Sequence, residues 1–265
     1  MPTHDHLRVD LAALRERTPL VHNITNYVVM NLTANALLAL GASPIMAHAE
    51  EELDELLGLA SALVLNIGTL SGGWIHSMHR AAEIAVRRGV PIVLDPVGAG
   101  ASRLRTDTAL SLLRTASPAV IRGNASEILA LAGAVGSTRG VDSTHAANDA
   151  EDAARQLART NGCAVAVSGE QDFVTDGNQG FLVAGGHPLM PRVTGLGCVA
   201  TALVGAYAGV SPTPLRAALA GMATMKAAGE YAAARAAGPG TFVPHFLDGL
   251  HALTPDQLVA TPRIS

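Results

Sequence analysis

Lysine is almost missing from this chain: Lys226 is the one example in 265 residues, and aromatic side chains make up only 3%. With a net charge of −4 there is no basic footprint for a polyanion, so no nucleic-acid partner is expected. Cysteine is scarce as well. Cys163 and Cys198 are too few for a disulfide framework and suit a reducing cytosol. The opening residues, MPTHDHLRVD, contain no apolar signal core, which points to a cytoplasmic protein. Residues 193 to 215 carry no charge and reach the length of a membrane span. Gly, Ala, Thr, Ser and two prolines dilute them, however, and the stretch reads as a helix buried in a domain, with no membrane partner.

Several signatures are missing too. No GxxxxGK[ST] phosphate loop occurs, and no kinase HRD or DFG element. Gly98-Ala99-Gly100 follows an apolar run, but Arg103 holds the third glycine position of a dinucleotide fingerprint and the chain before Asp107 reads as loop. The ten histidines show no HExxH spacing, which excludes a zinc site of that kind.

What is present is a chain that is 49% hydrophobic and 15% charged, with a core of Ala, Leu and Val and no linker or repeat to divide it. One domain over residues 1–265 is expected. Helices are predicted over 5–17, 26–40 (with Gly41 as its C-cap), 50–60, 73–88, 107–115, 125–132, 147–160, 197–209, 213–236 and 242–252. Extended runs lie between them: PLVHNI, SPIMAH, ALVLNIG at 62–68, VPIVLDP at 90–96, PAVIRG at 118–123 and CAVAVSG at 163–169. A hairpin at DFVTD and QGFLVAG, turning at Gly177-Asn178, brings an antiparallel piece to the sheet edge. Residues 133–145 read as a polar, glycine-rich loop. The alternation implies an α/β fold with a central, mostly parallel sheet and helices on both faces.

The most informative stretch is VTGLGCVATALVGAY at 193–207. Gly195 and Gly197 mark a turn that opens into an apolar helix, so amides near residues 195 to 198 can converge on one anion. Cys198 sits at the mouth, where a helix N-terminus is expected to lower a thiol pKa; its alternative is a small buried hydrophobe. In parallel sheets, ligands gather beyond the carboxyl ends of the strands. Those ends hold Asn66-Ile67-Gly68, Asp95-Pro96-Val97-Gly98, Arg122-Gly123-Asn124 with Glu127, and Ser168-Gly169-Glu170. Carboxylates, an arginine and an anion hole together suit a nucleoside triphosphate with magnesium. Glu127, three residues after Asn124, fits a capping box equally well.

Read together, VHNITN, LALGASPIMAH, LVLNIGTL, PIVLDPVGAGAS, IRGNASEI, AVSGEQDFVTDG and VTGLGC resemble the hydroxyethylthiazole kinase family of the ribokinase-like fold, over most of the chain. The resemblance implies transfer of the γ-phosphate of ATP to the primary alcohol of 4-methyl-5-(2-hydroxyethyl)thiazole, for thiamine synthesis, with Mg²⁺. It places thiazole contacts at Met46 and Gly195, with Asn23 and Asn26 near that pocket, and ATP contacts at Arg122 and Ser168. Asp95 and Glu127 match the acidic positions of the magnesium-phosphate assembly. Cys198, with Gly195 and Gly197, takes the place of the aspartate base in the GxGD motif of most enzymes of this fold. The family is trimeric, with sites between subunits. The alternatives are a kinase for another small alcohol, such as hydroxymethylpyrimidine, and a non-catalytic nucleotide- or thiazole-binding module.

Overall fold

Among the described residues, nine strands lie in one sheet, and the six that come first in sequence are parallel. The structure is a computed structural model and describes residues 4–135 and 146–265; the polar stretch expected at 133–145 falls, from residue 136 on, outside the described residues. The chain runs α1 (His4–Arg17), β1 (Leu20–Ile24), α2 (Met30–Leu40), β2 (Ser43–Met46), a 3₁₀ turn at Glu50–Glu52, α3 (Leu53–Leu59), β3 (Ala62–Asn66), α4 (Gly72–Arg88) and β4 (Ile92–Asp95). It continues through α5 (Arg103–Ala116), β5 (Val120–Asn124), α6 (Ala125–Val135), α7 (Ala146–Asn161), β6 (Ala164–Ser168), β7 (Asp172–Thr175) and β8 (Gly180–Ala184). A 3₁₀ turn at Met190–Arg192 leads into α8 (Leu196–Ala208), α9 (Pro214–Ala233), α10 (Pro239–Ala252), α11 (Pro255–Ala260) and β9 (Arg263–Ile264).

The sheet order is β2-β1-β3-β4-β5-β6-β7-β8-β9. The order reverses between β1 and β3, the kind of switch point where open α/β sheets place ligands. Apolar clusters cover both faces. Val21, Val64, Val93, Val120 and Ala166 pack under α1, α2 and α8–α10, whereas Ile24, Leu65, Leu94, Ile121 and Val165 pack under α3–α7. The strands therefore read as continuous apolar runs, because alternate residues find a hydrophobic partner on each side. Burial of Leu203 in α8 is complete, and its truncation to Ala would cost about 2–5 kcal/mol.

Two helix starts, one loop length and the sheet edge differ from expectation for identifiable reasons. The helix expected from 26 starts at Met30, because the Asn26 carboxamide accepts the Val28 N–H at 3.2 Å and makes a local turn of residues 26–29. The helix expected from 107 starts at Arg103, since Ser102 Oγ caps it through the Arg105 N–H. The hairpin loop is four residues long. The Asp176 carboxylate accepts from the Asn178 and Gln179 amides, and Thr175 pairs with Gly180. That hairpin is not the edge of the sheet either. β9 pairs outside it, and two residues are too few to carry an alternation.

Candidate active site

The alternation that buries the strands also builds the site. On the face beneath α8, an apolar row runs Val64, Val93, Val120, Ala164, and two residues later each of the first three strands changes to a polar residue: Asn66, Asp95, Arg122. Ser168 ends β6 one pair beyond Ala166 on the same face, and Asn23 holds the matching face of β1. A floor of amides, one carboxylate and one guanidinium results, walled by the start of α8.

Gly195 precedes that helix with φ +86°, a left-handed conformation; a Cβ there would lie 2.6 Å from Val29 Cγ1. The first amides of α8, those of Leu196, Gly197 and Cys198, have no acceptor within the helix and carry the positive end of its dipole. Gly197 lets the guanidinium approach: a Cβ would sit 2.9 Å from Arg122 Nη1. Arg122 donates from Nη2 to Ser168 Oγ at 2.6 Å.

Asp95 is fully buried. Its Oδ2 accepts from Asn66 Nδ2 and from Thr201 Oγ1, both at 2.7 Å. Its Oδ1 has no hydrogen-bond partner, and Arg122 Nη1 stands 4.0 Å away; Arg122 Nε is likewise buried without a partner. Burial pushes the carboxyl up to about 6, against the opposing pull of Arg122 and of the bonds from Thr201 and Asn66. An unpaired buried polar atom costs about 1–3 kcal/mol, more when charged. Both groups thus keep one buried atom unpaired, although Arg122 and Asp95 are neighbours.

Cys198 departs from expectation. Its thiol is pushed up to about 11 rather than lowered, first by burial and then by the Asp95 charge, and the amides of Asn66 and Asn26 offset only part of this. The group is a neutral thiol at pH 7. Asn26 Nδ2 donates to Sγ at 3.3 Å. Cys163, buried at the start of β6, is pushed up to about 12 by desolvation and stays on the far side of the sheet.

Glu127 does form the capping box: its N–H donates to Asn124 Oδ1 at 2.9 Å, and its Oε2 accepts the Asn124 N–H at 2.8 Å. Its Oε1 accepts from the Gly98 N–H at 2.8 Å, tying the loop after β4 to the start of α6. Both oxygens are therefore engaged, each with one lone pair to spare. Among the described residues no group of three or more His, Cys, Asp or Glu side chains is arranged to hold a metal. Magnesium takes most of its ligands from water and phosphate, so one free carboxylate oxygen such as Asp95 Oδ1 fits it.

Met46 ends β2 opposite Asn23 of β1, half-buried against the α2–α8 core. Asn23 Nδ2 donates to the Val21 carbonyl, and its Oδ1 is buried without a partner. His22 lies on the opposite face of β1, where Nε2 bonds the Ala47 carbonyl at 2.9 Å and burial lowers its pKa. A cavity of about 190 Å³ is lined by Arg122, Ser168, Asp172, Gly195, Gly197 and Lys226, among others. A second, of about 500 Å³, shares Met190, Pro191 and Lys226 with it. Met46, Asn23 and Asn26 do not line the first cavity.

Three contributions escaped the sequence reading. Thr201, one helical turn beyond Cys198, reaches Asp95. Arg105 donates to the carbonyls of Ile67, Gly68 and Val97, stapling the loops after β3 and β4. Lys226 spends its three donors on the Gly169 and Glu170 carbonyls and on Asp172 Oδ1 at 3.1 Å, fixing the turn after Ser168. A serine at 102 is a residue type that caps helices, a signal that would have placed Arg105 in the first turn of α5. Lys226 gave none.

The mostly parallel sheet, with a polar row at its carboxyl ends facing the start of α8, has the fold of the ribokinase-like small-molecule kinases. Pyridoxal kinase from Staphylococcus aureus shares this fold, at TM-score 0.60 and 15% identity, covering 80% of this chain and 88% of that one. The hydroxyethylthiazole kinase family model matches residues 11–256, and the chain belongs to that family. A hydroxyethylthiazole kinase of Nitratidesulfovibrio vulgaris (Miyazaki F) is 59% identical, over 100% of this chain and 99% of that protein. The hydroxyethylthiazole kinase structure from Pyrococcus horikoshii OT3 superposes at TM-score 0.92 with 46% identity, covering 98% of both chains. No helix among the described residues is long and apolar enough to cross a membrane.

Proposed function

We propose that this protein phosphorylates the primary alcohol of hydroxyethylthiazole with ATP and Mg²⁺, as one catalytic domain over residues 1–265. The observation that carries the reading is the pair of buried, partnerless charged atoms, Asp95 Oδ1 and Arg122 Nε, set beneath the free amides of α8. That arrangement suits a phosphoryl group and its metal far better than it suits an apolar ligand.

In this reading the amides of residues 196–198 and Arg122 hold the transferring phosphoryl charge, and Ser168 keeps the guanidinium aimed. Asp95 would hold Mg²⁺ through its unpaired Oδ1, while Glu127 adds charge and fixes Gly98. Bound there, the metal would supply charge neutralisation during phosphoryl transfer. The two cavities that share Lys226 leave room for a nucleotide. Asn23, Met46 and Gly195 flank the thiazole, and Cys198, held by Asn26, orients the hydroxyl.

The bond between the alcohol oxygen and Pγ forms as the bond from Pγ to the β–γ bridging oxygen breaks. The alcohol proton leaves late, once the forming ester has made it acidic, and passes to an oxygen of the transferring phosphoryl group, so the neutral Cys198 thiol only orients the hydroxyl and takes up no proton. A trimer with sites between subunits belongs to the same reading. Its support is exposed Tyr27 and Val28 directly after Asn26. The two free thiols suit a cytoplasmic location.

The test is ADP release with ATP and Mg²⁺, with and without hydroxyethylthiazole, hydroxymethylpyrimidine and a simple sugar. Release that depends on the thiazole supports the reading. Release with another alcohol alone reassigns the pocket, and none with any alcohol leaves a binding module.

A further inference from the structure

Between Cys198 and Asp95 runs a chain of hydrogen bonds whose direction is set from outside it. Asn66 Oδ1 accepts the main-chain N–H of Gly68 at 3.0 Å and Nδ2 of Asn26 at 2.8 Å, while Asn66 Nδ2 donates to Asp95 Oδ2 at 2.7 Å. A main-chain amide only donates, so Gly68 settles which end of the Asn66 carboxamide is oxygen. The Val28 N–H does the same for Asn26 by donating to its Oδ1. The Asn26 amino group is then committed to Asn66 and to Cys198 Sγ. Both amides are buried, at 1% and 4% exposure, and turning either over strands a main-chain N–H.

We infer that Asn66 is a positioning residue for phosphoryl transfer: it fixes Asp95 directly and Cys198 through Asn26, setting the phosphate side and the alcohol side of the site relative to each other. This rests on the alcohol-kinase reading above. With Oδ2 of Asp95 taken by Asn66 and Thr201, Oδ1 is the oxygen left for the ligand. Gly68 belongs to the same device. A Cβ there would lie 2.6 Å from Asn26 Nδ2 and 2.8 Å from its Cβ and Cγ, so a bare backbone at 68 is what lets Asn26 reach across.

The experiment measures kcat and the KM for ATP and for hydroxyethylthiazole in wild type, Asn66→Ala, Gly68→Ala, Asn26→Gly and the Asn26→Gly/Gly68→Ala double variant. Displacement of reacting groups by an ångström costs up to about a hundredfold, so Asn66→Ala and Gly68→Ala are expected to lose about ten- to a hundredfold in kcat. The KM for ATP should move by less than about threefold, with kcat referred to the nucleotide-binding sites counted by titration, so that a smaller folded fraction is not read as a slower step. In the Asn26→Gly background the atoms that a Cβ at 68 would strike are gone, so adding Gly68→Ala should cost less than about twofold.

Asn66→Ala with kcat within about twofold of wild type overturns the inference. So does a Gly68→Ala loss as large in the Asn26→Gly background as in wild type. Should Asn66→Ala fail to fold, the Gly68 and Asn26 variants decide the matter. A wild-type protein without thiazole-dependent turnover overturns the parent reading and this inference with it, whereas a fast wild type beside an equally fast Asn66→Ala overturns the inference alone.

Discussion

Asp95→Asn should make the ligand-free protein more stable and the enzyme inactive. The Asp95 carboxyl is held at about 6, against an ordinary 3.8, a value that already includes the attraction of Arg122 and the bonds from Asn66 and Thr201. The difference of about 2 units corresponds to about 3 kcal/mol of charge burial at pH 8. Because the folded-state pKa is raised, the folded protein keeps its proton to higher pH. The stability contribution is therefore whole below about pH 4 and lost as pH rises through about 6. Asparagine keeps the shape and an oxygen for the two donors but never ionises. Urea unfolding without nucleotide or divalent metal should show the variant about 2–3 kcal/mol more stable at pH 8, at an unchanged m-value. The gap should shrink below about 1 kcal/mol at pH 4. A variant less stable than wild type at pH 8, or one with the same advantage at pH 4, refutes the reasoning. Its turnover should collapse regardless, since stability given up at a functional site is commonly recovered when that site is disarmed.

Lys226→Met takes the cation from Asp172 and leaves its carboxyl and two carbonyls unpaired in a site where the partners are 7% and 4% exposed, so unfolding should become easier by about 3–5 kcal/mol. Adding Asp172→Asn should restore part of that, and a loss under about 1 kcal/mol would contradict the pairing. Cys198→Ser should slow turnover more than it raises the KM for ATP, and kcat should show no step between about pH 8 and 9, because the thiol is held near 11. Unchanged turnover would remove Cys198 from the alcohol site. Gly197→Ala should raise the KM for ATP about tenfold by pushing Arg122 aside, and an unmoved KM would show that the guanidinium is free to shift.

Residues with a periodic or terminal signature were legible in the sequence. The apolar runs of β3, β4, β5 and β6 announced buried parallel strands; Asp95 and Ser168 stood out because each closes one, and Arg122 because it is the charged residue two places before the end of β5. Glu127 gave two readings from one spacing, and the capping box is realised while its metal duty stays a proposal. What could not be read was tertiary. The Cys198 pKa depends on the depth of burial and on Asp95, 103 residues earlier, so the helix-start argument by itself pointed the wrong way. Lys226 looked like an ordinary member of an Ala-rich helix because its partners lie 54 to 57 residues upstream. Asn66 was visible as a strand end, but a single amide does not announce that it will bridge two others.

The most direct test of the central claim follows the phosphorus. Purified protein incubated with ATP, Mg²⁺ and hydroxyethylthiazole should yield, by ³¹P NMR, a phosphate monoester of the thiazole alcohol in equal amount to ADP. ADP accompanied by inorganic phosphate alone, or no ester at all, would contradict it.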